Sequence, residues 1–164
     1  MMRNLGIRYL SGIHPFLTSG LVAANARASI APMMPPTATS TLELIARYYA
    51  TFNQTSQIPG DRSAFLALLT ADVVHDLNQG EREIGHAAFT RFLARMDRCY
   101  REQIRDLTFT VAPDGTRAAA EYVVHGTYIA QDDGLPPATG QRYVLPGGAF
   151  FDVRSGKIAR VTNC

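Results

Sequence analysis

At 164 residues, with 46% hydrophobic and 18% charged residues, the chain has the composition of a single globular domain, neither disordered nor fibrous. A net charge of +2, with no Lys/Arg cluster interleaved with aromatics, argues against a nucleic-acid surface. No run reaches the roughly eighteen apolar residues of a membrane span, and the two cysteines, Cys99 and Cys164, have neither metal nor bridge spacing, so a cytoplasmic setting is the default.

The N-terminal stretch differs from the rest. Between Met1 and Leu42 there is no Asp or Glu, whereas Arg3, Arg8 and Arg27 are present. Residues 1–33 can be read as a transit segment, or as a signal with Ala24-Asn25-Ala26 as its small-x-small site. A third reading starts the protein at Met33 or Met34, and residues 1–39 are set apart as a leader to a domain over 40–164. Ser40 or Thr41 is an N-cap candidate, with Glu43 in the first turn. Leu42, Ile45, Tyr48, Tyr49 and Phe52 recur at helical spacing, and Pro59-Gly60 stops the helix. A second, short helix starts at Asp61 or Ser63, buries Phe65, Leu66, Leu68 and Leu69, and closes at Thr70-Ala71-Asp72. The run Val73 to Gly80 reads as a strand, Gly80 to Glu83 as a polar turn, and His86 to Arg98 as a third helix burying Phe89, Phe92, Leu93 and Met96.

From Tyr100 the period changes to two. Ile104, Leu107, Phe109 and Val111 lie in one extended stretch ahead of the hairpin turn Pro113-Asp114-Gly115. Ala118–Tyr128, then Tyr143–Val153 with a possible bend at Pro146-Gly147-Gly148, then Lys157–Thr162 supply the remaining strands. Three helices followed by an antiparallel meander predict an α+β fold with the sheet wrapped over the helices.

Asp76 stands out because it is a carboxylate in a half-apolar strand. An extended run gives it one face with Val74 and Asn78, while His75 points away and is read as structural. Facing a pocket, Asp76 would have a raised pKa and could act as a base; facing solvent, it would be an ordinary turn residue. Glu121 and His125 share a face of the second long strand, where they form either an acid/base couple or a polar pair on the sheet's outer side. Tyr143 and Phe150 are candidate pocket walls. No HxH or HxxE spacing joins His75, Asp76, Glu121 and His125 into a metal set, and there is no phosphate loop or nucleophile elbow, so no metal or cofactor is expected.

The order and spacing of these elements resemble the nuclear transport factor 2-like superfamily, specifically its ketosteroid isomerase and SnoaL-like polyketide cyclase branch. The resemblance rests on Arg47 to Asn53, on Asp72 to Gly85, and on Ala149 to Val161 with its Gly156-Lys157-Ile158 turn. It implies a cone-shaped, strongly curved antiparallel sheet packed on three helices, a small hydrophobic ligand, and a homodimer formed through the sheet. It also implies that Tyr48 donates to a substrate oxygen and Asp76 shuttles a proton; the binding candidates Asn78 (which shares Asp76's face but is as easily a turn former), Glu121, Tyr143 and Phe150 come from the residues themselves. The branch's second acid falls on Gly148, which has no side chain. The activity implied is cofactor-independent isomerase- or cyclase-like acid/base chemistry on an apolar carbonyl compound. The alternative is a non-catalytic binding module.

Overall fold

A computed structural model describes residues 35–57, 61–77, 80 and 82–164; residues 1–34 of the leader and Asn78 lie outside the described residues, whereas Ala38 and Thr39 of the leader already belong to the first helix. Three helices, α1 (Ala38–Gln57), α2 (Ser63–Leu66) and α3 (Gly85–Cys99), accompany six strands: β1 (Leu69–Asp76), β2 (Arg82–Ile84), β3 (Tyr100–Val111), β4 (Arg117–Tyr128), β5 (Arg142–Arg154) and β6 (Lys157–Asn163). The strands form one curved, unclosed sheet in the order β2-β1-β6-β5-β4-β3. Pairings are antiparallel apart from β1 beside β6, which is parallel.

Helix α1 begins earlier than its sequence signals indicate. Thr37 is the cap: the Ser40 amide donates to Thr37 Oγ1 at 3.1 Å and the Thr37 amide donates to Ser40 Oγ at 2.9 Å, a reciprocal arrangement that satisfies two otherwise orphan donors. Thr41 is buried instead, and its hydroxyl donates to the Gly115 carbonyl at 2.6 Å, tying α1 to the β3–β4 turn. The buried stripe is therefore Thr41, Leu44, Ile45, Tyr48 and Tyr49, and Leu42 is exposed. Two further boundaries move. Thr70–Asp72 belongs to β1 rather than α2, and Arg82–Ile84 is a strand paired with β1 rather than a turn. Elements of three or four residues carry too little periodicity to be read from sequence.

Phe65, Leu69, Val73, Phe89, Leu93, Phe151, Ile158 and Val161 form the core between the helices and the sheet's inner face. Strand β3 changes phase within itself. Its register against β4 shifts between Arg105 and Thr108, with Asp106 at φ 53°, so Glu102 and Ile104 share the inner face with Leu107, Phe109 and Val111 despite the odd spacing. Pairing then carries the inner face across the sheet in rows: Glu102, Gly126 and Tyr143, then Ile104, Val124 and Leu145.

Candidate functional site

Beneath α1 and α3, the inner face of β3 and β4 leaves a cavity of about 150 Å³ whose walls include Tyr48, Phe52, Met96, Glu102, Tyr122 and Asn163. A wider apolar trough of about 470 Å³ starts at the same Met96 and Glu102 and is bounded by Tyr100, Tyr128, Leu135, Tyr143 and Leu145. Glu102 is thus the carboxylate where the enclosed cavity meets its mouth.

Three features fix Glu102. It lies on β3, the edge strand of the sheet, whose unpaired backbone groups are covered by α1. Asn53 accepts from the Ile104 amide at 2.7 Å and donates to the Ile104 carbonyl at 2.9 Å, and Ser56 donates to the Glu102 carbonyl at 2.7 Å. The side chain then receives a 2.5 Å hydrogen bond from the Tyr143 hydroxyl, which belongs to β5, two strands away. This reach is possible because Gly126 stands between them in the row: a Cβ there would fall within the Tyr143 ring. Burial pushes the Glu102 carboxyl above the usual glutamate range, and the bond from Tyr143 partly opposes that rise.

The phenols supply donors. Tyr48 and Tyr49 are buried and pack edge-on to one another at 5.2 Å between ring centroids. Neither hydroxyl has a hydrogen-bond partner among the described residues. Burial, the main cause, raises both phenol pKa values, so each remains a protonated donor at ordinary pH. Tyr122 lies over Gly147 and donates a long bond, 3.4 Å, to the Gly148 carbonyl. Among the described residues no group of three His, Cys, Asp or Glu side chains is placed to hold a metal.

The sequence-derived candidates separate into two faces. Tyr48 lines the cavity and Tyr143 its mouth. Asp76 is not among the lining residues of either. It pairs with Thr162 and Arg82 on the outer face, where Arg82 Nε lies 2.6 Å and Arg160 Nη2 2.7 Å from its oxygens. The Arg82 bond, seconded by Arg160, holds its carboxyl below the usual aspartate range, the reverse of the rise expected of a pocket base. Phe150 pairs with Thr162 and is 54% exposed on the same face, so it is no pocket wall. Glu121 and Gly148 pair with one another there too, and Glu121 is exposed. Asn78 is outside the described residues.

The face assignment of β1 is therefore inverted. His75, not Asp76, points inward: it is 1% exposed and stacks on Phe89 at 4.5 Å. Val73 and Val74 are both apolar and give no parity, whereas pairing with buried Val161 draws His75 inside. Glu102 was not picked out from the sequence, although two signals were available. It sits two residues before Ile104 on an apolar strand face, and the glycine opposite it, Gly126, interrupts a strand where a large neighbour needs room.

The comparisons agree with this architecture. The SnoaL-like domain model matches residues 45–161. A solved protein from Xanthomonas campestris pv. campestris, provisionally assigned as a polyketide cyclase, is 58% identical over 77% of this chain and 90% of its own, with a TM-score of 0.71. A Pseudomonas putida KT2440 protein with the same provisional assignment is 56% identical over 76% of this chain and 90% of its own, TM-score 0.71. A third, from Silicibacter sp. TM1040, is 44% identical over 80% of this chain and 90% of its own, TM-score 0.71. No curated protein matches at a significant level. With the model spanning residues 45–161 and relatives above half identity, the chain belongs to the SnoaL-like domain family.

Proposed function

We propose that the chain is a cofactor-independent acid/base enzyme acting on a small apolar carbonyl compound of the polyketide kind, with Glu102 as the proton-transferring group. The observation that carries this reading is a half-buried carboxyl at the neck of an apolar cavity that also holds phenol hydroxyls with no hydrogen-bond partner among the described residues, and burial favours the carboxyl's protonated form. The relatives' provisional assignment as polyketide cyclases supports the substrate class.

In this mechanism the Glu102 carboxylate removes a proton from the carbon beside a carbonyl. The C–H electron pair forms the enolate, and negative charge gathers on oxygen. Tyr48 donates a hydrogen bond to that oxygen, an interaction typically worth about 3–4 kcal/mol in a site shielded from water. The enolate carbon then either attacks a second carbonyl of the same molecule, closing a ring as the broken C=O π pair becomes an alkoxide that takes the proton from Glu102, or takes the proton back from Glu102 at another position, completing an isomerisation. Either route returns Glu102 to its starting state, so no cofactor is consumed. A base with a raised pKa suits this role, since proton affinity near the working pH favours transfer in both directions.

The outer face carries exposed Val144 and Phe150, which supports a homodimer through the sheet; light scattering giving a monomeric mass would reject it. Cys99 and Cys164 are both free, in keeping with a cytoplasmic setting.

The chemistry can be tested without knowing the natural substrate. Hydrogen–deuterium exchange beside the carbonyl of 2-tetralone, followed by NMR, reads enolate formation directly. The wild-type chain should accelerate exchange, E102Q should lose about 10²–10⁴ of that acceleration, and D76N should keep it. Acceleration that survives E102Q but not D76N would restore the outer-face acid as the base. Binding of the ketone without acceleration would favour a ligand-binding module.

A further inference from the structure

Behind the cavity wall lies a polar chain that the proposed mechanism does not use. Glu83, His75 and Val161 form one inner-face row across β2, β1 and β6, and Asn163 follows Val161 by one period of the strand. The Glu83 Oε2 atom lies 3.4 Å from His75 Nδ1, facing it without a formed hydrogen bond, and neither buried atom has a hydrogen-bond partner among the described residues. On the other side of the ring, Asn163 Nδ2 lies 3.0 Å from His75 Nε2, and Asn163 is itself part of the cavity wall. The imidazole cannot turn freely. It is stacked on Phe89 at 4.5 Å and meets the edge of Phe92 at 4.6 Å.

A neutral imidazole has one N–H and one lone pair, and its neighbours decide which nitrogen holds which. With the proton on Nε2, the Nδ1 lone pair would face a carboxylate oxygen, acceptor against acceptor. With the proton on Nδ1, the N–H points at Glu83, and the Nε2 lone pair accepts from the Asn163 amide. Only the second arrangement aims a donor at the carboxylate and sets no acceptor against an acceptor. It also fixes the asparagine: with its NH₂ engaged by His75, its Oδ1 is the atom left for the cavity, and no described residue donates to that oxygen.

We propose that Asn163 is a specificity-determining residue whose oxygen accepts a hydrogen bond from a hydroxyl of the ligand, with His75 and Glu83 as positioning residues that set its orientation. This inference rests on the reading of the cavity as the ligand site, and it narrows the substrate class to apolar carbonyl compounds that also carry an alcohol, phenol or enol O–H. Phenol donors and one fixed acceptor would then read the carbonyl and the hydroxyl of the same molecule. A site built to accept from an O–H rejects the analogue lacking it, because the acceptor is left dry and unpaired.

Two measurements test this. Long-range ¹H–¹⁵N correlation spectra of the wild-type chain at neutral pH should report His75 as the Nδ1–H tautomer; an Nε2–H tautomer overturns the proposal. Ligand-observed NMR with 2-naphthol and 2-methoxynaphthalene should give about five- to ten-fold tighter binding of the naphthol. N163L should remove that preference while keeping affinity for the ether. E83Q leaves the cavity wall intact but lets the ring change tautomer, so it should weaken or reverse the preference. A preference that persists in N163L overturns the assignment of Asn163 and leaves the cavity reading standing. Failure of both probes to bind at millimolar concentration overturns the cavity reading and this inference together.

Discussion

Gly126 offers the sharpest quantitative test of the site. Alanine at this position has no backbone objection, since Gly126 lies in a regular strand and is not among the positive-φ residues. The objection comes from Tyr143 alone, whose ring occupies the place of the new methyl group. In G126A the ring must leave, and its hydroxyl loses Glu102. Breaking a hydrogen bond to a charged group costs about 1.5–3 kcal/mol, and forcing a methyl into filled space costs about 1–3 kcal/mol. Allowing for some relaxation, G126A should lose about 3 kcal/mol, roughly 10 °C in Tm for a domain of this size. A double-mutant cycle separates this from any general intolerance. In a Y143A background the same substitution meets empty space and should be neutral or stabilising by about 0.4–1 kcal/mol, because alanine restricts the unfolded chain. Chemical denaturation of the four proteins yields the coupling directly. Equal costs of G126A in both backgrounds would refute the account. A companion readout is the Glu102 titration followed by carboxyl ¹³C shifts. Loss of the Tyr143 donor should raise its already elevated pKa further in both G126A and Y143F.

Three other outcomes follow from the described contacts. D76N removes the negative charge shared by Arg82 and Arg160 and replaces one acceptor oxygen by an NH₂; on a partly exposed face this should cost about 1 kcal/mol by denaturant titration, with the loss vanishing as pH falls through the depressed Asp76 pKa, where the wild-type bridge is itself protonated away. N53A leaves the Ile104 amide and carbonyl without their side-chain partner and should destabilise by about 2–4 kcal/mol in the same assay, loosening the strand under Glu102. His75 should make the protein acid-sensitive. Burial among Phe89, Phe92 and Arg95 on α3 depresses its pKa below 6.5, against the opposing pull of Glu83 and Asp76, so the unfolded chain binds this proton first. Its contribution is present above pH 6.5 and lost below it, and H75F should flatten that part of a stability–pH curve relative to wild type. Glu102 acts with the opposite sign, losing stability as pH rises from 4.5 through its raised value, so only the difference between the two curves isolates His75.

Long periodic elements were legible in the sequence. The stripe of α1, the apolar positions of α3 and the β3–β4 hairpin announce their type and most of the face they bury, Leu42 and the phase change within β3 excepted. Of the short elements, α2 reads with its start at Ser63 and its buried Phe65 but closes too late, and β2, three residues with no period to read, reads as a turn. Helical spacing placed Tyr48 on a buried face, and only the family resemblance implied a pocket role for it. Asp76 and Phe150 were placed on the wrong side for a common reason. Consecutive apolar residues, Val73-Val74 and Phe150-Phe151, present the same hydropathy to both faces, and only the partner strands choose between them. Glu102 escaped notice because what marks it is not local. Its partner Tyr143 is 41 residues away and reaches it over a glycine on a third strand.

The irregularity at Asp106 bears on how this scaffold can diversify. That one left-handed residue is the hinge between two phases of β3, with Glu102 on one side and Phe109 on the other. Deleting it would leave the hairpin end seated while exchanging the sides of everything nearer α3, sending Glu102 outward and bringing Arg101 and Gln103 toward the cavity. A length change of one residue, far smaller than any redesign of the walls, would thereby replace an acidic interior by a basic one.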